Sequence, residues 1–293
     1  MKVLVLGVGG MLGHKVYQVF AESGIEVYGT MRKSLPEYIS YSIFKEKNVI
    51  DNIDVRVSDN VQECLLRIKP DCVINCVGVI KSLVKDPSET IAINSLFPHR
   101  IAKISTLINC RLIHISTDCV FSGKQGDYTE DSIPDATDLY GRSKLLGEVT
   151  GEPHLTIRTS IIGRELKTKH NLLEWILNSE GTIKGYVNAV FTGVTTKTLA
   201  KLLLRLLFEF NLTGLIHIGG EKINKYELAC LVKKVFRLND LTVEKFNEFY
   251  CDRSLRTERF KQTGIHVPSM EEMLSELCEE NSIYEPQVLY EAR

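Results

Sequence analysis

Short, nearly continuous apolar runs recur along the chain, and amphipathic stretches separate them. The runs with strand character are Val3–Val8, Ile25–Tyr28, Val73–Val79, Leu112–Ile115, Leu155–Ile162 and Leu215–Ile218. The stretches with helical periodicity are Met11–Glu22, Val61–Lys69, Ile91–Ile108 and Tyr140–Thr150. Strands that are apolar on both faces and alternate with helices are typical of a parallel sheet covered on both sides. The sequence therefore predicts an α/β fold with a doubly wound parallel sheet.

The first apolar run leads directly into a glycine-rich turn and then a helix. Gly7, Gly10 and Gly13 form a G-x-x-G-x-x-G pattern. Gly7 permits a tight turn, Gly10 lets a pyrophosphate approach the backbone, and Gly13 lets helix and strand pack closely. The helix N-terminus adds N–H groups and the positive end of its dipole. This placement predicts a Rossmann-type dinucleotide site.

The end of the second predicted strand indicates which dinucleotide binds. An NAD enzyme usually carries Asp or Glu there to accept a hydrogen bond from the ribose 2′-hydroxyl. This chain has Thr30, Met31, Arg32 and Lys33 instead. A guanidinium can bind a 2′-phosphate through two parallel hydrogen bonds, and Lys33 adds a second charge. NADP(H) is therefore the preferred cofactor, and NAD(H) remains the alternative.

The pattern loosens after Ile162, which predicts a second, smaller unit. Helices are predicted at Asn171–Ser179, Lys197–Phe210, Asn224–Arg237 and Pro268–Glu280. A strand is predicted at Gly214–Gly219, and the charged, aromatic segment Glu244–Thr263 is predicted to be irregular. We expect residues 1–164 to form the NADP-binding domain, with 188–218 returning to it. Residues 165–187 and 219–293 would form a smaller C-terminal substrate-binding lobe.

Charge balance and hydropathy exclude several classes of protein. The 293 residues include 36 basic and 37 acidic ones, so neither nucleic acid nor an anionic membrane is an expected partner. The N-terminal run lacks the length and cleavage site of a signal peptide, and no segment reaches the ~18 apolar residues of a membrane span. The eight cysteines include no C-x-x-C pair, so no metal site is predicted. We expect a cytoplasmic protein.

A second pair of motifs carries acid–base chemistry. One predicted strand ends in Ser116, Thr117 and Asp118, and Tyr140 and Lys144 open a helix about twenty residues later. Positions i and i+4 share a helix face, so these two side chains point the same way. The Lys144 ammonium, together with the cofactor ribose, would lower the pKa of the Tyr140 phenol and make it a usable proton donor. Thr117 can donate a hydrogen bond to the same substrate oxygen.

These motifs resemble the extended short-chain dehydrogenase/reductases, and within them the dTDP-4-dehydrorhamnose reductase group of nucleotide-sugar 4-ketoreductases. The segments that carry the resemblance are GVGGMLG, KPDCVINCVG, the helix with Asn94, STDCVFSG, GDYTEDSIPDATDLYGRSKLLGE and IRTSIIG. They cover residues 1–165, and a weaker similarity continues through NLLEW and FTGVTT to about residue 200. The resemblance supports the Rossmann-type fold and a nucleotide-diphosphate sugar as the partner molecule.

The resemblance also implies roles for individual residues. Thr117, Tyr140 and Lys144 match the catalytic triad. The implied cofactor contacts are Gly7, Gly10, Met11, Leu12, Asp54, Val55, Cys76, Val77, Gly78, Ser116, Tyr140, Lys144 and Thr159, in addition to Gly13, Arg32 and Lys33 above. The implied substrate contacts are Asp118, Cys119, Ser160, Asn171, Thr192 and Arg253. Asp118 can equally cap the loop that follows its strand.

The chain departs from the family pattern at two places. Cys119 stands where the family usually has Tyr or a similar residue after S-T-D. CDRSLRTERF keeps Arg253, Ser254 and Leu255 of a C-terminal family motif but lacks its proline and its spacing. The nucleotide and the sugar therefore stay open. Of the other polar and aromatic residues, Trp175 is expected to pack in the core or the lobe, with a wall facing the sugar or the base as the alternative. Lys222–Lys225 is expected to be a solvated face.

Three functions are compatible with these motifs. The first is NADPH-dependent reduction of the C4 keto group of an NDP-4-keto-6-deoxyhexose, in the biosynthesis of activated sugars for surface polysaccharide. The second is an NADP-binding regulatory subunit of another enzyme, which would not need the acid Tyr140. The third is an epimerase or dehydratase of the same superfamily. Arg32 is unusual for an epimerase, and the Glu that a dehydratase needs after Asp118 is missing. Reduction is favoured, and a homodimer is left open.

Overall fold

A computed structural model describes residues 1–38 and 40–284. Its strands are β1 Lys2–Leu6, β2 Glu26–Thr30, β3 Val49–Ile50, β4 Cys72–Asn75, β5 Arg111–Ile115, β6 Leu155–Arg158, β7 Ser160–Ile162, β8 Gly181–Phe191, β9 Gly193–Thr195, β10 Gly214–His217, β11 Ile223–Asn224 and β12 Leu241–Asp252. Its α-helices are α1 Gly13–Glu22, α2 Ser58–Ile68, α3 Pro87–Ile91, α4 Phe97–Leu107, α5 Leu139–Leu146, α6 Leu172–Leu177, α7 Thr196–Glu209, α8 Lys225–Val235, α9 Glu258–Lys261 and α10 Met270–Glu279.

The central sheet has seven parallel strands in the order β10-β6-β5-β4-β1-β2-β3. Side chains of β1 alternate between two cores: Val3 and Val5 pack on the side of α1 and α7, and Leu4 and Leu6 on the side of α2 and α4. Burial on both faces explains the unbroken apolar runs of the sequence. The prediction of a doubly wound parallel sheet is confirmed.

The strand order places a crevice beside β1. The chain leaves β1 toward β2 on one side, whereas β4 pairs with β1 on the other. Ligands of open α/β sheets bind at such a switch point, outside the carboxyl ends of the strands. The glycine turn after β1 and the segment after β4 therefore face the same opening.

The rest of the chain builds a smaller layer beyond these strand ends. A three-stranded sheet has the order β11-β8-β12, with β12 parallel and β11 antiparallel to β8. Strand β8 crosses the boundary expected at residue 188, whereas β10 lies in the central sheet and α7 packs against its core. Residues 285–293 of the expected lobe lie outside the described residues.

Two predictions about secondary structure are wrong. Residues 244–252, expected to be irregular, belong to β12, because β8 supplies a parallel partner along most of its length. Most β12 side chains are not buried, so the strand shows no apolar alternation in the sequence. The run Leu155–Ile162 is not one strand: β6 joins the central sheet, and β7 after Thr159 pairs with β9. No described helix has the length and apolar character needed to cross a bilayer.

Candidate active site

Two cavities open at the carboxyl edge of the central sheet. The first, here called the dinucleotide cleft, has a volume of about 410 Å³ and lies between the glycine turn, the end of β2 and the segment after β4. The second, here called the substrate cavity, has a volume of about 340 Å³ and lies between the loop after β5 and the smaller layer. Residues from distant parts of the chain meet in each wall.

The glycine turn has the geometry that a dinucleotide needs. Gly7 has a φ of +85°, and the backbone amides of Gly7 and Val8 both donate to the Thr30 carbonyl at 3.0 and 2.9 Å. Gly7 and Gly10 line the dinucleotide cleft. A Cβ on Gly13 would collide with the Gly7 carbonyl, so Gly13 lets α1 pack against the turn.

Three predicted cofactor residues in this turn, Met11, Leu12 and Gly13, do not line the cleft. Leu12 is buried in the core, and Met11, half-buried, is not among the residues of the cleft wall. Sequence analysis also missed several residues that do line it, among them Tyr38. The Tyr38 hydroxyl lies 3.0 Å from the position of a Cβ on Gly9, so Tyr38 packs directly over the turn. No local pattern marked Tyr38, because it reaches the turn from the segment after β2.

Charged residues at the end of β2 face the cleft. Arg32 and Lys33 both line it and are exposed. Lys33 Nζ lies 3.4 Å from Glu37 Oε2, whereas Arg32 makes no ion pair with any described residue. Asp54 and Val55 also line the cleft, and hydrogen bonds from Arg56 lower the pKa of Asp54. In this wall the Arg32 guanidinium has no ion-pair partner among the described residues, whereas the Asp54 carboxylate is already paired with Arg56.

The segment after β4 separates the cleft from Lys144. Cys76, Val77 and Gly78 line the cleft. A Cβ on Gly78 would lie 3.4 Å from Asn94 Oδ1 and 3.8 Å from Lys144 Nζ, so this wall is close to both side chains. Asn94 is buried within a π-helical turn, Ala92–Leu96, and its amide bonds both the N–H and the carbonyl of Val79. It therefore holds the wall in place.

Helix α5 carries both Tyr140 and Lys144. Asp138 caps the helix by accepting from the Gly141 amide at 2.8 Å, and the absent Cβ of Gly141 lets the helix lie against the Cys119 carbonyl. Lys144 Nζ donates to the Ile115 carbonyl at the end of β5, at 2.8 Å. Burial lowers the pKa of Lys144 to about 8, although Glu148 and Cys76 act to raise it.

The pKa of Tyr140 differs from the expectation. Burial raises it, Cys119 raises it further, and a hydrogen bond with Thr117 lowers it only in part. The prediction that Lys144 lowers the pKa of Tyr140 is wrong for the residues of the chain alone, because burial of the phenol raises the pKa and Lys144 is not among the groups that act on it. Thr117 Oγ1 accepts from the Cys119 amide at 3.1 Å and donates to Asp118 Oδ1 at 3.2 Å.

Four predicted substrate residues meet in the substrate cavity: Asp118, Cys119, Ser160 and Arg253. Burial raises the pKa of Asp118, while the charges of Arg253 and Lys225 lower it. Burial also raises the pKa of Cys119 to about 12, so its thiol stays protonated. Arg253 Nε donates to the Phe121 carbonyl at 2.8 Å, which holds the guanidinium beside the cavity. The cavity therefore combines one buried carboxyl with fixed positive charge.

Two further residues of this cavity contradict the sequence analysis. Lys225 is not solvated: it is half-buried, its ammonium lies 3.6 Å from the centre of the Phe191 ring, and burial lowers its pKa. Trp175 is not packed in a core: it is 47% exposed and lines the cavity with Tyr186 and Phe249. The sequence predicted a helix that begins at Asn224. It could not predict that the next residue, Lys225, is half-buried, because the direction of that side chain depends on how α8 packs against β8.

The remaining predicted site residues lie outside both cavity walls, as do Thr117, Tyr140 and Lys144. Asn171 Oδ1 caps α6 by accepting from the Glu174 amide at 3.0 Å, and Thr192 Oγ1 accepts from the Leu255 amide at 3.0 Å. Ser116 Oγ donates to Glu148 Oε1 at 2.7 Å. Thr159 is buried at the break between β6 and β7, where its carbonyl accepts from the Asp118 amide. Within the described residues, no group of three or more His, Cys, Asp or Glu is arranged to hold a metal.

Fold and site together define the class of protein. The doubly wound sheet, the glycine turn at its switch point and the Tyr140–Lys144 pair on one helix face are those of an extended short-chain dehydrogenase/reductase of the nucleotide-sugar reductase and epimerase type. A family model described as "RmlD substrate binding domain" matches residues 1–280, and the chain belongs to that family. The resemblance deduced from the motifs is confirmed.

Relatives and solved structures agree with this assignment. The chain is 26% identical to spore coat polysaccharide biosynthesis protein SpsK of Bacillus subtilis, over 96% of this chain and 98% of that protein. It is also 26% identical to methionine adenosyltransferase 2 subunit beta of Rattus norvegicus, over 81% of this chain and 72% of that protein.

Among solved structures, a hypothetical dTDP-4-dehydrorhamnose reductase from Sulfolobus tokodaii is 25% identical, with a TM-score of 0.74. The match covers 89% of this chain and 94% of that chain. A dTDP-4-dehydrorhamnose reductase from Bacillus anthracis in complex with NADP has a TM-score of 0.77 at 20% identity. This match covers 95% of this chain and 99% of that chain, and the two proteins share the same fold.

Proposed function

We propose that the protein is a cytoplasmic NADPH-dependent reductase of the C4 keto group of a nucleotide-diphosphate 4-keto-6-deoxyhexose. The observation that carries this proposal is the position of α5 between the two cavities. Lys144 lies behind the Gly78 wall of the dinucleotide cleft, whereas Tyr140 lies behind the wall of the substrate cavity, beside Asp118 and Cys119, which line it. A keto sugar in one cavity and a dinucleotide in the other would meet at this helix.

The dinucleotide cleft suits NADP(H). The missing side chains of Gly7 and Gly10 leave room beside the start of α1 for a pyrophosphate, and the helix dipole favours an anion there. Arg32, supported by Lys33, would bind the 2′-phosphate, since no described residue occupies its guanidinium. A bound NADPH would supply the hydride. The Bacillus anthracis reductase of the same fold is in complex with NADP, which agrees with this cofactor.

The catalytic residues divide the acid–base work. The raised pKa of Tyr140 keeps its hydroxyl protonated at neutral pH, so it can donate a proton to the oxygen of the former keto group. A pKa of about 8 leaves Lys144 mainly charged at pH 7, and its ammonium, close to the Gly78 wall, would orient the ribose of a bound dinucleotide. Thr117 would hold the same substrate oxygen by a hydrogen bond. A buried, water-poor site makes each of these interactions stronger.

The substrate cavity suits a nucleotide diphosphate. Arg253 and Lys225 are cations in its wall, and both are partly buried, which strengthens their attraction for an anion. Trp175, Tyr186 and Phe249 offer exposed aromatic faces on which a base can stack. The relative SpsK is named for polysaccharide biosynthesis, which agrees with a sugar nucleotide as substrate.

A panel assay tests the proposal. The protein is incubated with NADPH and with dTDP-, UDP- and GDP-linked 4-keto-6-deoxy sugars, and absorbance at the nicotinamide band is followed. We expect NADPH consumption with at least one sugar, and the 4-hydroxy sugar as product. Conversion of the sugar without net NADPH consumption would indicate an epimerase instead. Binding of NADPH without conversion of any sugar would contradict the reductase.

The similarity to methionine adenosyltransferase 2 subunit beta supports a second candidate, an NADP-binding regulatory subunit. A regulatory subunit has no use for a proton donor, whereas this chain keeps Tyr140 beside Thr117 and keeps Lys144 on the same helix. The two functions are separated by adding the protein to a methionine adenosyltransferase catalytic subunit. A stable complex with altered kinetics, and no turnover of keto sugars by the protein alone, would favour the regulatory subunit.

A further inference from the structure

The last described residues pack against the first turn of α1, on the inner side of the glycine turn. After α10, a single 3₁₀ turn, Asn281–Tyr284, brings the Tyr284 ring to His14, with ring centres 5.6 Å apart and planes at 77°. Tyr284 Oη lies 2.9 Å from His14 Nε2, and His14 Nδ1 lies 2.8 Å from the Gly10 carbonyl oxygen. One buried imidazole thus joins the C-terminal segment to a residue of the dinucleotide cleft.

The partners of His14 determine the direction of both hydrogen bonds. The Gly10 carbonyl can only accept, so Nδ1 carries the proton. Burial lowers the pKa of His14 to about 3, and the Lys15 charge lowers it as well, so the ring is neutral at physiological pH and Nε2 has a free lone pair. The Tyr284 hydroxyl therefore donates to Nε2. Without that hydroxyl, a buried acceptor would lose its partner and the ring its second anchor.

Ion pairs hold the same segment against two helices of the main domain. The Glu280 carboxylate lies 2.7 Å from Lys15 Nζ of α1 and 2.9 Å from Lys197 Nζ of α7. The Lys15 side chain is fully buried, so its charge depends on this pairing. These contacts keep Tyr284 in reach of His14.

The Tyr284 ring also contacts the substrate side. The Arg164 guanidinium lies 4.9 Å from the ring centre, and Arg164 also donates a hydrogen bond to Asn281. Arg164 Nε donates to Glu174 Oε1 of α6 at 2.7 Å, and the next residue, Trp175, lines the substrate cavity. The Tyr284 ring therefore contacts His14, next to the dinucleotide cleft, and Arg164, which is linked through Glu174 to the helix that lines the substrate cavity.

We propose that Tyr284, acting through His14, is a positioning residue for the dinucleotide turn, and that Glu280–Tyr284 is a clasp that holds this turn in its binding geometry. The identity of the dinucleotide rests on the proposed function. Through this clasp, a segment about 270 residues away in the sequence would support the glycine turn of the cofactor site.

Removal of the Tyr284 hydroxyl tests the proposal. Tyr284→Phe keeps the ring and its contact with Arg164, and we expect it to raise the Kd for NADPH about fivefold, the equivalent of one neutral hydrogen bond. Amide exchange at Gly10 and His14 should become faster in the free protein. The matched control is Tyr17→Phe, because Tyr17 lies on α1, the helix that holds His14. The Tyr17 ring packs against Gly29 and Phe44 and not against the glycine turn. The control should leave the Kd and both exchange rates unchanged.

A second variant tests the route through the imidazole. His14→Leu should weaken NADPH at least as much as Tyr284→Phe, and combining the two should weaken it no further. Additive losses, or equal changes in Tyr17→Phe, would overturn the clasp, as would wild-type affinity and exchange in Tyr284→Phe. If the wild-type protein binds neither NADPH nor NADH, the proposed function fails, and the exchange rates of Gly10 and His14 still decide whether the clasp exists.

Discussion

Arg158 and Glu148 form a buried ion pair near Lys144, with Arg158 Nη2 2.7 Å from Glu148 Oε2. Their side chains are 4% and 6% exposed. Arg158 Nε and Ser116 Oγ both donate to the other carboxylate oxygen, so β5, β6 and the segment after α5 converge on one group. Because Glu148 raises the pKa of Lys144, this pair connects the packing of the sheet to the charge of the site.

Glu148→Gln should destabilise the fold. The change leaves the Arg158 guanidinium buried without its counter-charge, and breaking one side of a buried ion pair typically costs about 3–5 kcal/mol. Urea denaturation of the variant measures the loss. The control Glu209→Gln breaks an exposed pair with Arg205 and should change stability very little. Equal stability of Glu148→Gln and wild type would contradict the role of this pair.

The same variant should change the pH dependence of catalysis. In the proposed mechanism Lys144 acts as a cation, so kcat/KM should fall as the pH rises through a pKa of about 8. Without the negative charge of Glu148 the ammonium is less favoured, and the alkaline fall should move to lower pH. A pH profile of kcat/KM at saturating NADPH checks this. A shift to higher pH would show that Glu148 does not support the charge.

Tyr140→Phe should abolish most turnover and leave NADPH binding nearly intact. Only the proton donor is removed, and such groups typically contribute about 10²–10⁴-fold to the rate. Single-turnover kinetics with the sugar identified by the panel assay, together with a binding titration, measure the two effects. Wild-type turnover in this variant would mean that another group donates the proton.

Arg32→Ala should weaken NADPH more than NADH, because only NADPH carries the 2′-phosphate. The guanidinium is exposed, so we expect the low end of a hydrogen bond to a charged group, about 1.5 kcal/mol or roughly tenfold in Kd. Titrations with both dinucleotides measure the difference, with Arg100→Ala on the exposed surface of α4 as the control. An equal loss for both would indicate a packing role.

Lys225→Met and Arg253→Ala should each raise the KM for the sugar nucleotide about tenfold or more without changing NADPH affinity, since each removes a partly desolvated partner of the diphosphate. Lys222→Met is the matched control, because Lys222 is exposed and pairs with Asp127. A crystal structure of the complex with the diphosphate remote from both cations would refute this placement.

Local patterns in the sequence predicted much of the main domain. The unbroken apolar runs, the spacing of Gly7, Gly10 and Gly13, and the i, i+4 pair of Tyr140 and Lys144 each depend on neighbours within a few residues. The periods of a strand and a helix suffice to interpret them. The sheet, the position of the glycine turn and the common face of the catalytic pair follow from these patterns.

Only the tertiary structure decided the composition of the substrate cavity and the support of the turn. Strand β12 exists because β8 pairs with it, and most of its side chains are exposed, so no apolar period revealed it. Burial of Lys225, exposure of Trp175 and the raised pKa of Tyr140 depend on which distant segments cover each side chain. Tyr284 reaches His14 across 270 positions of sequence. The period of apolar residues in a sequence shows which face of a helix or strand is buried. Which distant segment covers that face is decided only when the elements pack together.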